Sequence, residues 1–162
     1  MARIVGGPAA WRGPEVVDDP SWRVQLTADH VAELRAALAR VDRPEVSLRD
    51  IRAADFPLPT LGPLLAGLVD ELVDGRGFVL VRGVPVADLD ERQVELLYWG
   101  MGRHVGVPIH QKGEDDLLVH VRDLGVDPDD PRVRGFQTRA RLDYHADSSD
   151  VVGLLCVRPA KS

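Results

Sequence analysis

The chain has 162 residues and a formal net charge of -6. It is long enough for one domain with a substantial core, and its acidic balance argues against a nucleic-acid partner. It contains no run of about 18 apolar residues, so we expect neither a membrane-spanning helix nor a membrane partner. A single cysteine, Cys156, excludes an internal disulfide framework and an all-cysteine zinc site, and it fits a reducing, cytoplasmic location.

The N-terminal segment, residues 1–26, is expected to be irregular because three prolines interrupt it. Trp11 and Trp22 in this segment are candidates to anchor it on the surface of a domain. The alternative is a loosely ordered terminus. We therefore predict an irregular segment at residues 1–26 and a main domain at residues 27–162.

Two amphipathic helices are predicted next. Apolar residues at spacings of 3, 4 and 3 follow Thr27, which is a suitable N-cap, and Pro44 ends the pattern. This stripe consists of Val31, Leu34, Leu38 and Val41. Beyond a linker at residues 42–59, Thr60 is the expected N-cap of a second helix, with Gly75 at its end. Its apolar face consists of Leu61, Leu64, Leu65, Leu68 and Leu72.

The pattern then changes towards strands. Residues 78–81 form a short apolar run between two glycines, which is typical of a buried strand. A third helix follows, capped by Asp88 or Asp90 and ending near Gly100 and Gly102. Further strand candidates are residues 105–109, 117–121, 136–138 and 151–157. Helices that come first and strands that dominate later favour an α+β fold, with helices covering part of an antiparallel sheet.

The predicted sheet has too few strands to close on itself. A closed barrel or jelly roll needs about eight strands, whereas the sequence offers four or five candidates. Either the sheet stays open or the chain is the front part of something longer. An open edge beside an exposed apolar face favours self-association, so a homo-oligomer is among the expected assemblies.

One histidine has neighbours that suggest chemistry. His145 and Asp147 are two positions apart, and in an extended strand such residues project from the same face. An imidazole beside a carboxylate is two-thirds of the 2-His-1-carboxylate arrangement, which holds non-haem Fe(II) and leaves positions open for a cosubstrate and oxygen. The spacing alone favours the alternative, a surface loop of Asp and Ser around an ordinary histidine.

Other polar residues carry weaker signals. Gln111 and Gln137 are candidate substrate-pocket residues, because an amide both donates and accepts hydrogen bonds, although a surface or turn role is the alternative for each. Of the remaining histidines, His30 is expected to be an exposed polar residue, and His120 to have a hydrogen-bonded structural role, with metal binding as its alternative. His104 and His110 flank a Gly-Val-Pro turn, and lining a pocket is the alternative role for this pair.

Several stretches, in the right order along the chain, resemble the TauD/TfdA family of Fe(II)- and 2-oxoglutarate-dependent dioxygenases. Residues 77–85 (GFVLVRGVP) resemble its early strand and turn, and residues 98–102 (YWGMG) resemble the following helix end. Residues 118–123 (LVHVRD) and 134–138 (RGFQT) resemble later segments, and residues 144–156 (YHADSSDVVGLLC) resemble the metal motif. The likeness covers roughly residues 60–162.

The resemblance implies a clavaminate-synthase-like jelly roll, here an incomplete double-stranded β-helix covered by helices. It implies that His145 and Asp147 are the first two iron ligands, with 2-oxoglutarate as cosubstrate and a small organic substrate that is oxidised, usually by hydroxylation. The family's third ligand, a second histidine, and the arginine that grips 2-oxoglutarate lie further along than Asp147, and no residue here matches them.

We therefore expect the chain by itself to bind metal weakly and to be inactive. Two other interpretations stay open at this point. One is a non-catalytic half-barrel that pairs with another subunit, and the other is a cupin-like binding domain in which His145 and Asp147 are incidental.

Overall fold

The computed structural model describes residues 6–110, 117–127, 129–147 and 149–159. These residues form two compact units. The first unit contains the described residues up to 108 together with residues 153–159, and the second contains those between 109 and 152. Across the described ranges, every helix is too short or too polar to span a bilayer.

Three helices build the first unit, and their positions confirm the sequence prediction. They are α2 (Ala28–Val41), α3 (Leu61–Val73) and α4 (Glu91–Gly102), preceded by a short helix α1 (Gly13–Val17). The Thr27 hydroxyl caps α2 by accepting a hydrogen bond from the His30 backbone N–H, and the Asp90 carboxylate caps α4 by accepting one from the Gln93 N–H. Side-chain oxygens at these positions satisfy N–H groups that have no partner inside the helix.

Asp88, the alternative cap for α4, has a different role. Its carboxylate accepts two hydrogen bonds from the Arg35 guanidinium of α2, at 2.9 and 3.0 Å. These hydrogen bonds lower the pKa of Asp88 below its ordinary value. The pair joins α2 to the turn that precedes α4.

The sheet differs from the prediction in the relative direction of its strands and in which segments form them. Strand β2 (Leu80–Arg82) overlaps the strand predicted at residues 78–81. Its partner is β1 (Arg23–Gln25), and the two run parallel with Arg23 opposite Leu80. The antiparallel sheet is therefore wrong for the described residues, and so is an irregular structure throughout residues 6–26. The prolines interrupt the segment without preventing α1 and β1, since Pro14 lies in the first turn of α1, where a missing N–H costs nothing.

Both tryptophans of the N-terminal segment anchor it, as predicted. The Trp11 indole N–H donates to the carbonyl of Arg76 at 2.8 Å, and the Trp22 indole N–H donates to the carbonyl of Val16 at 3.0 Å. Both rings pack on Phe78, with ring centroids 5.0 and 5.6 Å away. Aromatic packing and a satisfied indole N–H together hold an otherwise exposed segment in place.

The core lies between α2, α3, α4 and the linker that joins α2 to α3. Its largest fully buried side chains are Phe56, Leu34, Ile51, Leu61, Leu96 and Leu97. Phe56 comes from the linker, and its ring lies against Gly100 of α4. The His104 ring nitrogen Nε2 lies 2.8 Å from the Phe56 carbonyl oxygen, so the end of α4 also holds the backbone of the linker.

The later strands predicted from the sequence are not found in the described residues. Residues 105–109, 117–121 and 151–157 form neither helix nor strand, and a 3-10 turn at Gly135–Gln137 stands where a strand at 136–138 is predicted. Within the second unit, two backbone hydrogen bonds join residues 122 and 124 to residues 136 and 137. The prediction is wrong there because an apolar run becomes a strand only when a neighbouring strand satisfies its backbone groups.

Candidate metal centre

His145 and Asp147 lie close to each other in the second unit. The His145 Nε2 atom lies 4.0 Å from the Asp147 carboxylate oxygen Oδ1. The segment that carries them, residues 141–147, is without regular secondary structure. Both side chains are more than half exposed, at 59% and 55%, so the pair is accessible to an ion from solvent.

The backbone fixes the orientation of the His145 ring. Its Nδ1 atom lies 2.8 Å from the carbonyl oxygen of Asp143. A carbonyl oxygen only accepts hydrogen bonds, so Nδ1 carries the proton of the neutral ring and Nε2 keeps its lone pair. Metal-binding histidines are typically held in this way, with the second nitrogen bound to a carbonyl or carboxylate. The free lone pair therefore belongs to the nitrogen that is nearer to Asp147.

These two residues fit a divalent ion by their chemistry. Neutral imidazole and carboxylate are both ligands of Fe(II), and two bonds of about 2.1 Å at a right angle would bring the ligand atoms about 3 Å apart. Rotation of the exposed Asp147 side chain can reduce the observed separation of 4.0 Å to that value while His145 keeps its hydrogen bond. Among the described residues, no third His, Cys, Asp or Glu has a ligand atom within 4.8 Å of both. The pair therefore offers two ligands and leaves the rest of a coordination sphere open.

The neighbouring carboxylate of Asp143 lies beside an arginine. The Asp143 carboxylate is 96% exposed and lies 4.0 Å from the Arg141 Nε atom. Asp143 therefore acts on His145 through its carbonyl, while its side chain faces an arginine. This separation of roles makes a matched control variant available.

Of the two glutamines predicted to line a substrate pocket, the structure describes one. The Gln137 side-chain oxygen accepts a hydrogen bond from the Arg134 backbone N–H at 2.9 Å, which closes a local turn. Its role in a substrate pocket stays a prediction. Gln111 lies outside the described residues.

Two of the other histidines have structural contacts. The His30 Nδ1 atom accepts a hydrogen bond from the Thr27 backbone N–H at the start of α2, at 3.3 Å. His104 binds the Phe56 carbonyl, as described above. His104 therefore has a structural contact, whereas His30, expected to be an exposed polar residue, is partly buried and contributes to the start of α2.

Comparison with known proteins assigns the family. Residues 43–162 match the family described as "Taurine catabolism dioxygenase TauD, TfdA family". The chain belongs to the TauD/TfdA family. Members of this family are oxygenases and generally depend on Fe(II) and 2-oxoglutarate. The matched range contains α3, β2 and α4 and also His145 and Asp147.

Two relatives align with 99% of this TauD/TfdA chain. It is 31% identical over 162 residues to FR-33289 synthase of Streptomyces rubellomurinus (strain ATCC 31215), of which it covers 48%. It is 22% identical over 170 residues to the taurine hydroxylase-like protein SAT17 of Stachybotrys chartarum (strain CBS 109288 / IBT 7711), of which it covers 43%. The chain thus spans about half the length of the curated relatives it matches.

Proposed function

We propose that the chain supplies the first two iron ligands, His145 and Asp147, of an Fe(II)- and 2-oxoglutarate-dependent dioxygenase that oxidises a small organic substrate. The observation that carries the proposal is the approach of His145 Nε2 to the Asp147 carboxylate at 4.0 Å, with Nδ1 held by the Asp143 carbonyl. Membership of the TauD/TfdA family supports the same chemistry. The proposed fold of the domain is the family's double-stranded β-helix.

Each residue has a separate role in this proposal. His145 keeps its Nδ1 proton on the Asp143 carbonyl and so presents Nε2 as a neutral donor. Asp147 contributes one negative charge, which attracts a divalent cation without cancelling its Lewis acidity. When bound, Fe(II) with 2-oxoglutarate and oxygen supplies the oxidising power that removes hydrogen from a substrate carbon. The open side of the pair leaves room for the cosubstrate.

Hydroxylation is the form of oxidation that we propose. One relative of the chain is named as taurine hydroxylase-like, and the other is named as a synthase. Insertion of a hydroxyl group is compatible with both descriptions, since a hydroxylation can be one step of a synthesis. The proposed partner is therefore a small organic molecule.

Binding of Mn²⁺, a redox-stable substitute for Fe(II), tests the site directly. Mn²⁺ broadens the NMR signals of nearby nuclei even at low occupancy, which suits a site with two protein ligands. We expect titration with Mn²⁺ to broaden the ring signals of His145 before those of His30. His145→Ala and Asp147→Ala are expected to abolish this selective response, because each leaves a single ligand.

Asp143→Asn is the matched control. It removes a neighbouring carboxylate but keeps the carbonyl that orients His145, so the wild-type response should persist. If Asp143→Asn abolishes the broadening while Asp147→Ala leaves it intact, the ligand assignment is wrong. If no histidine signal responds selectively in the wild-type chain, a non-catalytic binding or oligomerisation domain becomes the better interpretation.

A further inference from the structure

After the proposed ligands, the chain comes into close contact with a side chain of α4 at one glycine. Gly153 follows Asp147 by six positions. A Cβ atom added at Gly153 would lie 2.6 Å from the Tyr98 hydroxyl oxygen and 3.6 Å from the Tyr98 Cζ atom. The Tyr98 hydroxyl therefore occupies the space that any other side chain at position 153 would need.

Tyr98 is itself well fixed. It belongs to α4, between the buried residues Leu97 and Trp99. Burial raises the pKa of the Tyr98 phenol above its ordinary value, so the hydroxyl stays protonated and neutral at physiological pH. A phenol on a helix with buried neighbours is a rigid support, because it has few rotatable bonds and little room to move.

The residues that follow Gly153 lie beside the sheet. Residues 154–156 line a groove of about 190 Å³ together with residues of β2 and the turn after it. The groove is lined mainly by aliphatic side chains, with Leu80, Val81, Val84 and Val86 on one side. The segment thus contacts Tyr98 at its first residue and borders β2 over the next three.

We propose that Tyr98 is a positioning residue for the metal-binding pair. Its hydroxyl contacts Gly153 and thereby restricts the chain segment that follows His145 and Asp147. The inference rests on the proposed function, because it requires these two residues to bind an ion. A segment without regular secondary structure samples fewer arrangements of its two ligands when one of its ends is held in place. The Tyr98–Gly153 contact fixes one end, six residues from Asp147.

Substitutions at Gly153 and Tyr98 test this contact, because the hydroxyl of one residue fills the space beside the other. Gly153→Ala places a methyl group against the hydroxyl, which forces either Tyr98 or the chain to move. We expect selective Mn²⁺ broadening of His145 to require about tenfold more Mn²⁺, the lower end of the loss seen when groups that orient metal ligands are removed. Tyr98→Phe removes the contact without a clash and should give a smaller loss.

The double variant Gly153→Ala/Tyr98→Phe should recover most of the lost affinity. The new methyl group then takes the place of the hydroxyl and meets Cζ at 3.6 Å, an ordinary van der Waals distance. Recovery separates positioning from general damage, because two unrelated destabilising changes would add rather than cancel. Gly106→Ala is the control, since nothing lies within 4 Å of a Cβ atom there.

The outcomes separate the two proposals. If Gly153→Ala binds Mn²⁺ like the wild-type chain, or the double variant stays as weak as Gly153→Ala, Tyr98 has no positioning role while the metal site stands. If the wild-type chain shows no selective response of His145, the metal site itself is overturned, and the positioning role with it. Amide hydrogen exchange of residues 153–157 should follow the same order, fastest in Gly153→Ala and restored in the double variant.

Discussion

Because Gly100 has no side chain, α4 packs closely on the linker before α3. Phe56 is fully buried, and its ring occupies the space where a Cβ atom of Gly100 would be. His104, one turn further along, binds the carbonyl of the same phenylalanine. A glycine in the middle of a helix normally costs stability, so its presence here is explained by the ring that it admits.

Gly100→Ala is expected to destabilise the protein. The added methyl group overlaps the Phe56 ring and must displace either the ring or α4, which typically costs about 1–3 kcal/mol in a well-packed core. Urea denaturation measures the change. Gly67→Ala is the matched control, because Gly67 lies on an exposed part of α3 with nothing within 4 Å. It should stabilise the protein by about 0.5–1 kcal/mol, and a loss at Gly67 equal to that at Gly100 would contradict the packing argument.

At the scale of elements, the N-terminus of α3 is capped by a carboxylate from α2. Thr60 precedes α3, as predicted, but its hydroxyl does not cap the helix. Instead the Glu33 carboxylate accepts hydrogen bonds from the backbone N–H groups of Thr60 and Leu61 and from the Thr60 hydroxyl, at 2.6 to 3.2 Å. A negative charge is also favourable at a helix N-terminus because of the helix dipole.

Loss of this carboxylate should weaken the contact between two helices. We expect Glu33→Ala to lower the free energy of unfolding by about 1 kcal/mol, the usual effect of removing a helix cap. Urea denaturation at neutral pH checks this value. Glu45→Ala is the control: Glu45 is exposed and lies 3.8 Å from Arg43, so its removal should change stability by less than about 0.5 kcal/mol.

The same cap should be sensitive to acid. Desolvation alone would raise the pKa of Glu33, but the hydrogen bonds from Thr60 and Leu61 outweigh it, and the pKa lies below the ordinary value of 4.5. A carboxyl group with a lowered pKa stabilises the folded state above its unfolded pKa, and this stabilisation is lost as the pH falls through the folded pKa. The stability difference between wild type and Glu33→Ala should therefore shrink below about pH 4.5. A difference that grows on acidification would contradict this assignment.

At the scale of the whole molecule, the two units differ in how their backbones are bonded. The first unit contains α2, α3 and α4 around a common core. In the second unit, the described hydrogen bonds are mainly local turns, with two longer-range backbone bonds at residues 122 and 124. Protection from hydrogen exchange follows such bonding and burial.

Hydrogen exchange should show this contrast. We expect backbone amides in the middle of α2 and α4 to exchange slowest, through global unfolding, and amides of residues 141–147 to exchange close to the rate of an unprotected chain. Amides 122 and 124 should be intermediate. Mass spectrometry of labelled peptides measures all three groups. Equal protection of residues 141–147 and α4 would contradict the description of the second unit.

The sequence by itself determined the three main helices and two of their caps, because helical periodicity and capping depend on residues a few positions apart. It also indicated that His145 and Asp147 lie side by side, which needs only two residues of extended chain. The tertiary structure alone decided the parallel pairing of β1 with β2, the capping of α3 by Glu33, and the contact between Tyr98 and Gly153. These contacts join residues 57, 27 and 55 positions apart, and no local pattern reports which distant backbone or side chain will satisfy a group.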